Sequence, residues 1–417
     1  MDSFIITGGK KLSGSVTING AKNAILPIMT AALLAKGKSI LHNVPNLIDF
    51  KNMAHLLRVL GAKVEYEQKT MTIDATNVNY YEAPYDIVSK MRASIYVMGP
   101  LLARLRRAIV AFPGGCAIGS RPVDLHLMAF EKLGVNIRIE HGYLYADCPE
   151  GLKGSIIDFP QISVGATANS IMASVLADGE TIIKNVAKEP DIDDSLINFL
   201  TMMGAKIEKL NENDIKIIGV SELKPAEMNM IPDRIEAGTF LIAGAMTKSS
   251  ITITNCEPMH LEALINKLRL TGCDFEITHD SIKIIPAHLI QPVDVITEPY
   301  PGFPTDLQAQ FMAYMTIADG TCCIKETIYP DRFMHAAELN RLGANISVKD
   351  GIATIKGVKE LSGAKIMATD LRASAALVLA GMVAKETSTI SRIYHIDRGY
   401  ECIEKKLQNI GADIRRV

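Results

Sequence analysis

The sequence predicts an α/β protein of two domains, each assembled from three copies of one βαβαββ-like unit. Three observations carry the prediction. A glycine returns at nearly constant spacing after an amphipathic helix, a short helix apolar on all sides precedes each such helix, and the last copy is cut short where the N-terminus has strands to offer.

The elements follow in order. Two short β-like runs open the chain, Phe4-Ile5-Ile6 and Ser15-Val16-Thr17-Ile18. Six nearly all-apolar segments then recur, at Asn23 to Ala35, Arg92 to Arg104, Gly165 to Ala177, Glu236 to Met246, Thr305 to Ile317 and Leu371 to Ala384. A helix with no polar face is a buried helix, and at about 12 to 14 residues these are too short to span a bilayer. Each leads to an amphipathic helix that stops at a glycine and passes into an alternating strand. The glycines are Gly61, Gly134, Gly204, Gly272, Gly343 and Gly411, spaced 73, 70, 68, 71 and 68 residues apart. Each is expected to be the left-handed residue that ends its helix. Only six residues follow Gly411, so the first 21 residues are expected to complete the C-terminal domain. The predicted domains are 22–230, carrying a loop at 113–122, and 1–21 plus 231–417.

Composition narrows the function. With 48% apolar and 22% charged residues and a formal charge of −2, the chain has neither the basic excess of a nucleic-acid binder nor an acidic tail. The start, Met1-Asp2-Ser3-Phe4-Ile5-Ile6-Thr7-Gly8, lacks the basic end and apolar core of a signal peptide. Seven cysteines without CxxC spacing argue against a disulfide framework and a zinc site. A cytoplasmic protein without nucleic-acid or membrane partners is expected. Gly14 to Lys22 does not have phosphate-loop spacing, and Gly114 to Gly119 is not a dinucleotide fingerprint.

Chemistry concentrates in two places. The run Pro113-Gly114-Gly115-Cys116-Ala117-Ile118-Gly119-Ser120-Arg121-Pro122-Val123-Asp124 joins a thiol to an arginine in a glycine-rich loop and reads as a lid over an anionic ligand. The starts of the apolar helices carry Lys22 and Asn23, Arg92, Ser163 to Thr167, Arg234 and Glu236, Thr305 and Asp306, and Asp370 and Arg372. If those starts share one face between the domains, they form a cleft lined by cations and helix N-termini. Such a cleft suits a phosphorylated substrate.

Five runs in order resemble one family across the whole chain: Asn19-Gly20-Ala21-Lys22-Asn23-Ala24, the cysteine loop, Pro232-Asp233-Arg234-Ile235-Glu236-Ala237-Gly238-Thr239, Pro301-Gly302-Phe303-Pro304-Thr305-Asp306-Leu307-Gln308 and Thr369-Asp370-Leu371-Arg372. The sequence is similar to the enolpyruvyl transferases, in particular those acting on UDP-N-acetylglucosamine. The resemblance implies a two-domain inside-out α/β barrel with its active site in the interdomain cleft. It also implies transfer of the enolpyruvyl group of phosphoenolpyruvate to the sugar 3′-hydroxyl with release of phosphate, without a metal or organic cofactor. That reaction is the first committed step of peptidoglycan precursor synthesis.

Carried over by position, the resemblance implies that Lys22, Arg121 and Arg398 hold the phosphate and carboxylate of phosphoenolpyruvate. It assigns the nucleotide sugar to Asn23, Arg92, Arg121, Pro122, Val123, Asp124, Leu125, Ser163, Val164, Gly165, Asp306 and Ile328, with Arg332, Asp370, Arg372 and Arg398 completing the substrate-binding set. The two substrates together bring about five negative charges, for which charge-assisted arginine contacts are the expected answer. Asp306 is the candidate base toward the hydroxyl and Cys116 the candidate acid toward C3. Cys116 is also similar to the thiol that the epoxide fosfomycin alkylates. At Gln161 the family commonly has lysine.

Plainer readings stand beside these. A lone cysteine is more often a small buried hydrophobe, the reading given to Cys148, Cys256, Cys273, Cys322, Cys323 and Cys402. An aspartate at a helix start is most often a cap, which on sequence alone covers Asp306 and Asp370. Arg104, Arg106, Arg107, Arg415 and Arg416 read as surface cations in weak, solvated pairs. Two other functions fit the same repeats: enolpyruvyl transfer to shikimate 3-phosphate, and a non-catalytic repeat scaffold.

Overall fold

The computed structural model describes residues 2–112 and 123–417. Cys116, Arg121 and Pro122 lie outside the described residues. The chain divides into two compact units, an N-terminal one of 20–112 and 123–231 and a C-terminal one of 2–19 and 232–417.

Among the described residues, six four-stranded sheets repeat a single order, three in each unit. In the second repeat the edge strand Glu82–Ala83 runs parallel to Arg107–Ala111, which pairs antiparallel with Tyr143–Asp147, which pairs antiparallel with Asn136–Glu140. The edge strand and its parallel neighbour are joined through a buried helix, the crossover that parallel pairing requires. The other two strands form a hairpin reached through the amphipathic helix.

Three sheets draw a strand from a distant part of the chain. Ser15–Thr17 runs parallel to Thr252–Thr254 in the C-terminal unit. Glu227–Asn229 runs parallel to Lys38–His42 in the N-terminal unit. Each of these strands precedes one helix in the chain but pairs into the sheet of the other, so the strands are exchanged at the two points where the chain changes unit. The last repeat ends with Asp413–Arg416, and Ser3–Thr7 lies between that strand and Thr387–Ser391. The N–H of Ser3 donates to Val417 at 2.8 Å, and that of Val417 to Ser3 at 2.9 Å. Phe4 and Ile6 point inward from this strand and are fully buried.

Three apolar helices form the centre of each unit. In the C-terminal unit they are Arg234–Met246, Gln308–Met315 and Leu371–Val383, packed on one another. In the N-terminal unit they are Lys22–Ala31, Met98–Leu105 and Val164–Ser174. Small residues let the helices approach: a Cβ on Gly238 would stand 2.7 Å from Leu307, and one on Gly99 2.7 Å from the Asn169 carbonyl. The middle helix of each unit is entered through a 3₁₀ segment, Arg92–Val97 and Thr305–Leu307, where the sequence pattern had implied one continuous helix. Apolar periodicity does not distinguish the two windings over a single turn.

The amphipathic helices bury one stripe each. In Ile48–Val59 that stripe is Phe50, Met53, Ala54, Leu56 and Leu57. The glycines that end the six helices all have positive φ, between 87° and 104°. No helix among the described residues is long and apolar enough to cross a membrane.

Two plain readings need correction. Arg416 is not a solvated surface cation: its guanidinium grips both carboxylate oxygens of Asp397 and donates to Glu404 at 3.2 Å. Arg104 donates to the Leu33 carbonyl at 2.7 Å. Among the cysteines, Cys148, Cys256, Cys273 and Cys322 are buried, but Cys323 is half-buried and Cys402 exposed. Burial pushes the thiols of Cys148 and Cys322 up to about 11 and that of Cys256 to about 12, which makes them poor nucleophiles.

Candidate active site

The C-terminal unit assembles a carboxylate between two arginines. Asp306 lies in the 3₁₀ turn Thr305–Leu307 with about a quarter of its side chain exposed, 24%. Arg332 donates through Nη1 to its Oδ1 at 2.9 Å, and Arg372 through Nη2 to its Oδ2 at 2.8 Å. Both arginine side chains are buried, at 4% and 3% exposure. Burial by itself raises the Asp306 carboxyl, but the guanidiniums of Arg372 and Arg332 outweigh it and hold the group well below the usual carboxylate range.

Arg372 is held in turn. It is the second residue of the helix Leu371–Val383, whose start is capped by Asp370: the carboxylate accepts the N–H of Arg372 at 2.8 Å and of Ala373 at 3.1 Å. Its Nη1 also donates to the hydroxyl of Tyr400 at 3.3 Å. Tyr400 is buried, and its oxygen lies 2.8 Å from Thr239 Oγ1. Arg398 ends the 3₁₀ segment Ile393–Arg398, two residues before Tyr400.

Beside Asp306 a second carboxylate organises the backbone. Glu326, 3% exposed, accepts the N–H of Ile328 at 2.9 Å and of Tyr329 at 3.0 Å, together with hydroxyls of Thr297 and Thr305. The amide of Ile328 is thus engaged with Glu326, and a ligand there would meet its carbonyl or side chain.

In the N-terminal unit, Lys22 opens the first buried helix and its Nζ lies 3.1 Å from Asp49, which is 1% exposed. Asp49 stands in the first turn of Ile48–Val59, where the helix dipole favours an anion. Arg92 starts its 3₁₀ segment half-buried and acts on His126. Burial first, and then the Arg92 charge, pushes the His126 imidazole down to about 3. His126 Nδ1 lies 3.1 Å from the amide nitrogen of Asn169, so the neutral ring carries its proton on Nε2. That Nε2 lies 3.0 Å from where a Cβ on Gly165 would sit. Glycine at 165 leaves room for the buried ring.

The family profile described as EPSP synthase (3-phosphoshikimate 1-carboxyvinyltransferase) matches residues 6–407. The chain is 51% identical over its full length to the UDP-N-acetylglucosamine 1-carboxyvinyltransferase of Chloroherpeton thalassium, covering 97% of that protein. The chain belongs to the UDP-N-acetylglucosamine 1-carboxyvinyltransferase family. Among solved structures it resembles the enolpyruvyl transferase NikO from Streptomyces tendae, with a TM-score of 0.90 and 26% identity over 100% of this chain and 99% of that one. The EPSP synthase of Acinetobacter baumannii shares the fold, with a TM-score of 0.77 and 17% identity over 100% of both chains. As a member of the UDP-N-acetylglucosamine 1-carboxyvinyltransferase family, the protein is a transferase with the enolpyruvyl transferase fold.

Of the residues singled out from sequence, Asp306, Arg332 and Arg372 meet directly, and Ile328 joins them through Glu326 and Thr305. Asp370 is a cap on the same helix as Arg372. Ser163 caps Val164–Ser174 by accepting the N–H of Ala166 at 3.3 Å. Val123 and Leu125 are buried at 2% and 9%, whereas Asp124 is exposed at the first turn of its helix. Asn23 is half-buried next to Lys22. Glu236, another helix-start residue, is occupied structurally: it accepts from Lys406 at 2.7 Å and from the N–H of Asn19 at 2.9 Å. Sequence reasoning missed Asp49, Glu326 and Tyr400. The only trace of Glu326 was an acidic residue directly after an alternating strand, a pattern shared by many exposed turns.

Proposed function

We propose that this chain transfers the enolpyruvyl group of phosphoenolpyruvate to the 3′-hydroxyl of UDP-N-acetylglucosamine and releases phosphate, a cytoplasmic step that opens peptidoglycan precursor synthesis. The observation that carries the reading is 51% identity over the whole chain to a transferase of that name. The geometry supports the same chemistry. About a quarter of the Asp306 side chain is exposed, and a hydroxyl can approach there.

In the addition step the sugar oxygen bonds to C2 of phosphoenolpyruvate, its proton passes to Asp306, and C3 takes a proton from Cys116. In the elimination step C3 loses a proton to the thiolate, the double bond re-forms, and the C2–O bond to phosphate breaks. The proton held by Asp306 leaves with the phosphate. A carboxylate held so far down is a weak base, so its proton uptake is useful only as the new C–O bond forms. Lys22, Arg121 and Arg398 supply positive charge for the phosphate and carboxylate of phosphoenolpyruvate. Arg92, Asn23, the 121–125 segment and the Ser163-Val164-Gly165 start serve the nucleotide sugar.

Phosphate release tests the reading. Purified protein given both substrates is expected to release phosphate, with none from either substrate alone or when shikimate 3-phosphate replaces the sugar. Release with shikimate 3-phosphate alone as acceptor, or none with any acceptor, would overturn it. In the Cys116→Asp variant, turnover is expected to survive while fosfomycin inactivation disappears, since a carboxylic acid can also deliver the C3 proton. Undiminished fosfomycin sensitivity in that variant would locate the alkylated group elsewhere.

A further inference from the structure

We propose that Glu326 is a positioning residue for the Asp306–Arg332 pair: acting through Thr305, it fixes where the Arg332 guanidinium meets the catalytic carboxylate. The proposal rests on the reading of Asp306 as the group that takes the hydroxyl proton.

Glu326 directly follows the strand Thr321–Lys325 and is almost fully buried. A carboxylate in such a place must be satisfied by donors or its burial is costly. Its Oε1 accepts Thr297 Oγ1 at 2.8 Å and the amides of Ile328 and Tyr329, while its Oε2 accepts Thr305 Oγ1 at 2.9 Å. These four donors are neutral and come from three separate stretches of chain. The Glu326 amide donates to Gly351 at 3.0 Å, which ties the carboxylate's own backbone to the sheet.

The link to Asp306 follows from hydrogen bookkeeping at Thr305. A hydroxyl has one proton, and Thr305 gives it to Glu326, so its oxygen can face Arg332 only as an acceptor. Arg332 Nη1 donates to that oxygen at 2.9 Å and to Asp306 Oδ1 at 2.9 Å. Glu326 therefore sets the polarity of Thr305, Thr305 fixes one arm of the fork, and Asp306 occupies the other. An amide at position 326 would present N–H groups to part of this donor set. Turned toward Thr305, it would force that hydroxyl proton toward the Arg332 guanidinium, which has only protons to offer in return.

The test compares Glu326→Gln, Thr305→Val and the double variant with wild type. In Glu326→Gln, kcat is expected to fall about 10- to 100-fold with each KM within about threefold, the scale of a slightly misplaced catalytic group. The acid limb of its kcat/KM profile moves to higher pH, because a loosened Arg332 no longer helps to keep Asp306 ionised. Adding Glu326→Gln to Thr305→Val lowers kcat no further, since the relay is already cut. Multiplicative losses in the double variant, or an unmoved acid limb in a folded Glu326→Gln protein, would overturn the proposal. If Glu326→Gln does not fold, Thr305→Val decides: a limb moved upward supports the relay and an unmoved limb refutes it. Absence of wild-type phosphate release would instead refute the transfer reading. The relay would then be judged by the titration of the Asp306 carboxyl resonance in wild type and Thr305→Val, where equal midpoints refute it.

Discussion

The tripeptide Thr-Asp-Leu stands at the entrance to two buried helices of the C-terminal unit, as Thr305-Asp306-Leu307 and Thr369-Asp370-Leu371. Asp370 has an extended backbone, with φ −155° and ψ 178°, and its carboxylate turns back onto the helix to cap it. Asp306 lies within a 3₁₀ turn, the residue before that turn is Pro304, and its carboxylate turns away from the helix toward Arg332 and Arg372. The same local sequence thus yields a cap in one repeat and an ion-paired, partly open carboxylate in the other. The cations decide between them, and one of those cations, Arg372, is held in place by the helix that Asp370 caps. The two aspartates are successive supports of one arrangement.

Substitutions at the two positions should therefore separate. The largest effect is expected for Asp306→Asn, with kcat for phosphate release reduced about 10²- to 10⁴-fold, the range typical of a lost acid–base group. A loss of under tenfold would reduce Asp306 to a structural ion-pair partner. Arg372→Lys is expected to cost less, because lysine keeps the charge but not the planar fork that reaches both Asp306 and Tyr400. The acid limb of its kcat/KM profile should move upward, and an unchanged limb would mean that Arg332 alone holds Asp306 ionised.

A third prediction concerns stability against pH. Burial and Arg332 push the His335 imidazole down to about 4, against the opposing pull of Asp370, and burial and Arg92 push His126 to about 3. Below the ordinary histidine value of 6.5 the unfolded chain takes up protons that the folded chain refuses. Stability is then complete above 6.5 and declines as pH falls, by about 1.4 kcal/mol per pH unit for each such histidine. Asp306 contributes nothing in that window, because it stays ionised in both states until pH nears the ordinary 3.8. Denaturant titrations should show a flatter slope in His126→Gln and His335→Gln, and an unaltered slope would show that both rings protonate inside the fold. The smallest effect is expected for the cap itself: Asp370→Ala should lower stability by about 1 kcal/mol, read as a reduced melting temperature. No change at all would mean that the helix start is held by packing alone.

The sequence showed local requirements and domain crossings well and long-range pairings poorly. The six helix-ending glycines were legible because a positive φ is a demand that the backbone makes on one residue. The truncated last repeat pointed to strands from the N-terminus because counting residues after Gly411 needs no geometry. The sequence placed Ser15–Thr17 in the C-terminal domain and Glu227–Asn229 in the N-terminal one, but the strands they pair with, Thr252–Thr254 and Lys38–His42, were not legible because each lies about 190 or more residues away. At the site, arginines and aspartates could be named but not matched. Whether Asp306 caps or pairs depends on Arg332, 26 residues away, and Arg372, 66 residues away. Glu326 was invisible for the same reason: its significance lies in Thr297 and Thr305, 29 and 21 residues away, which converge on it. Arg416 misled because a terminal arginine looks solvated until Asp397 and Glu404 are found beside it.

The central claim is that two arginines keep Asp306 an anion that is able to take a proton. The kcat/KM profile of wild type and Arg372→Lys, followed toward acid with both substrates and brief exposure to each pH, tests it most directly. The account predicts a wild-type acid limb well below the ordinary carboxylate value and a limb displaced upward in the variant. Coincident limbs in the two proteins, or a wild-type limb at the value of an unperturbed aspartate, would contradict it.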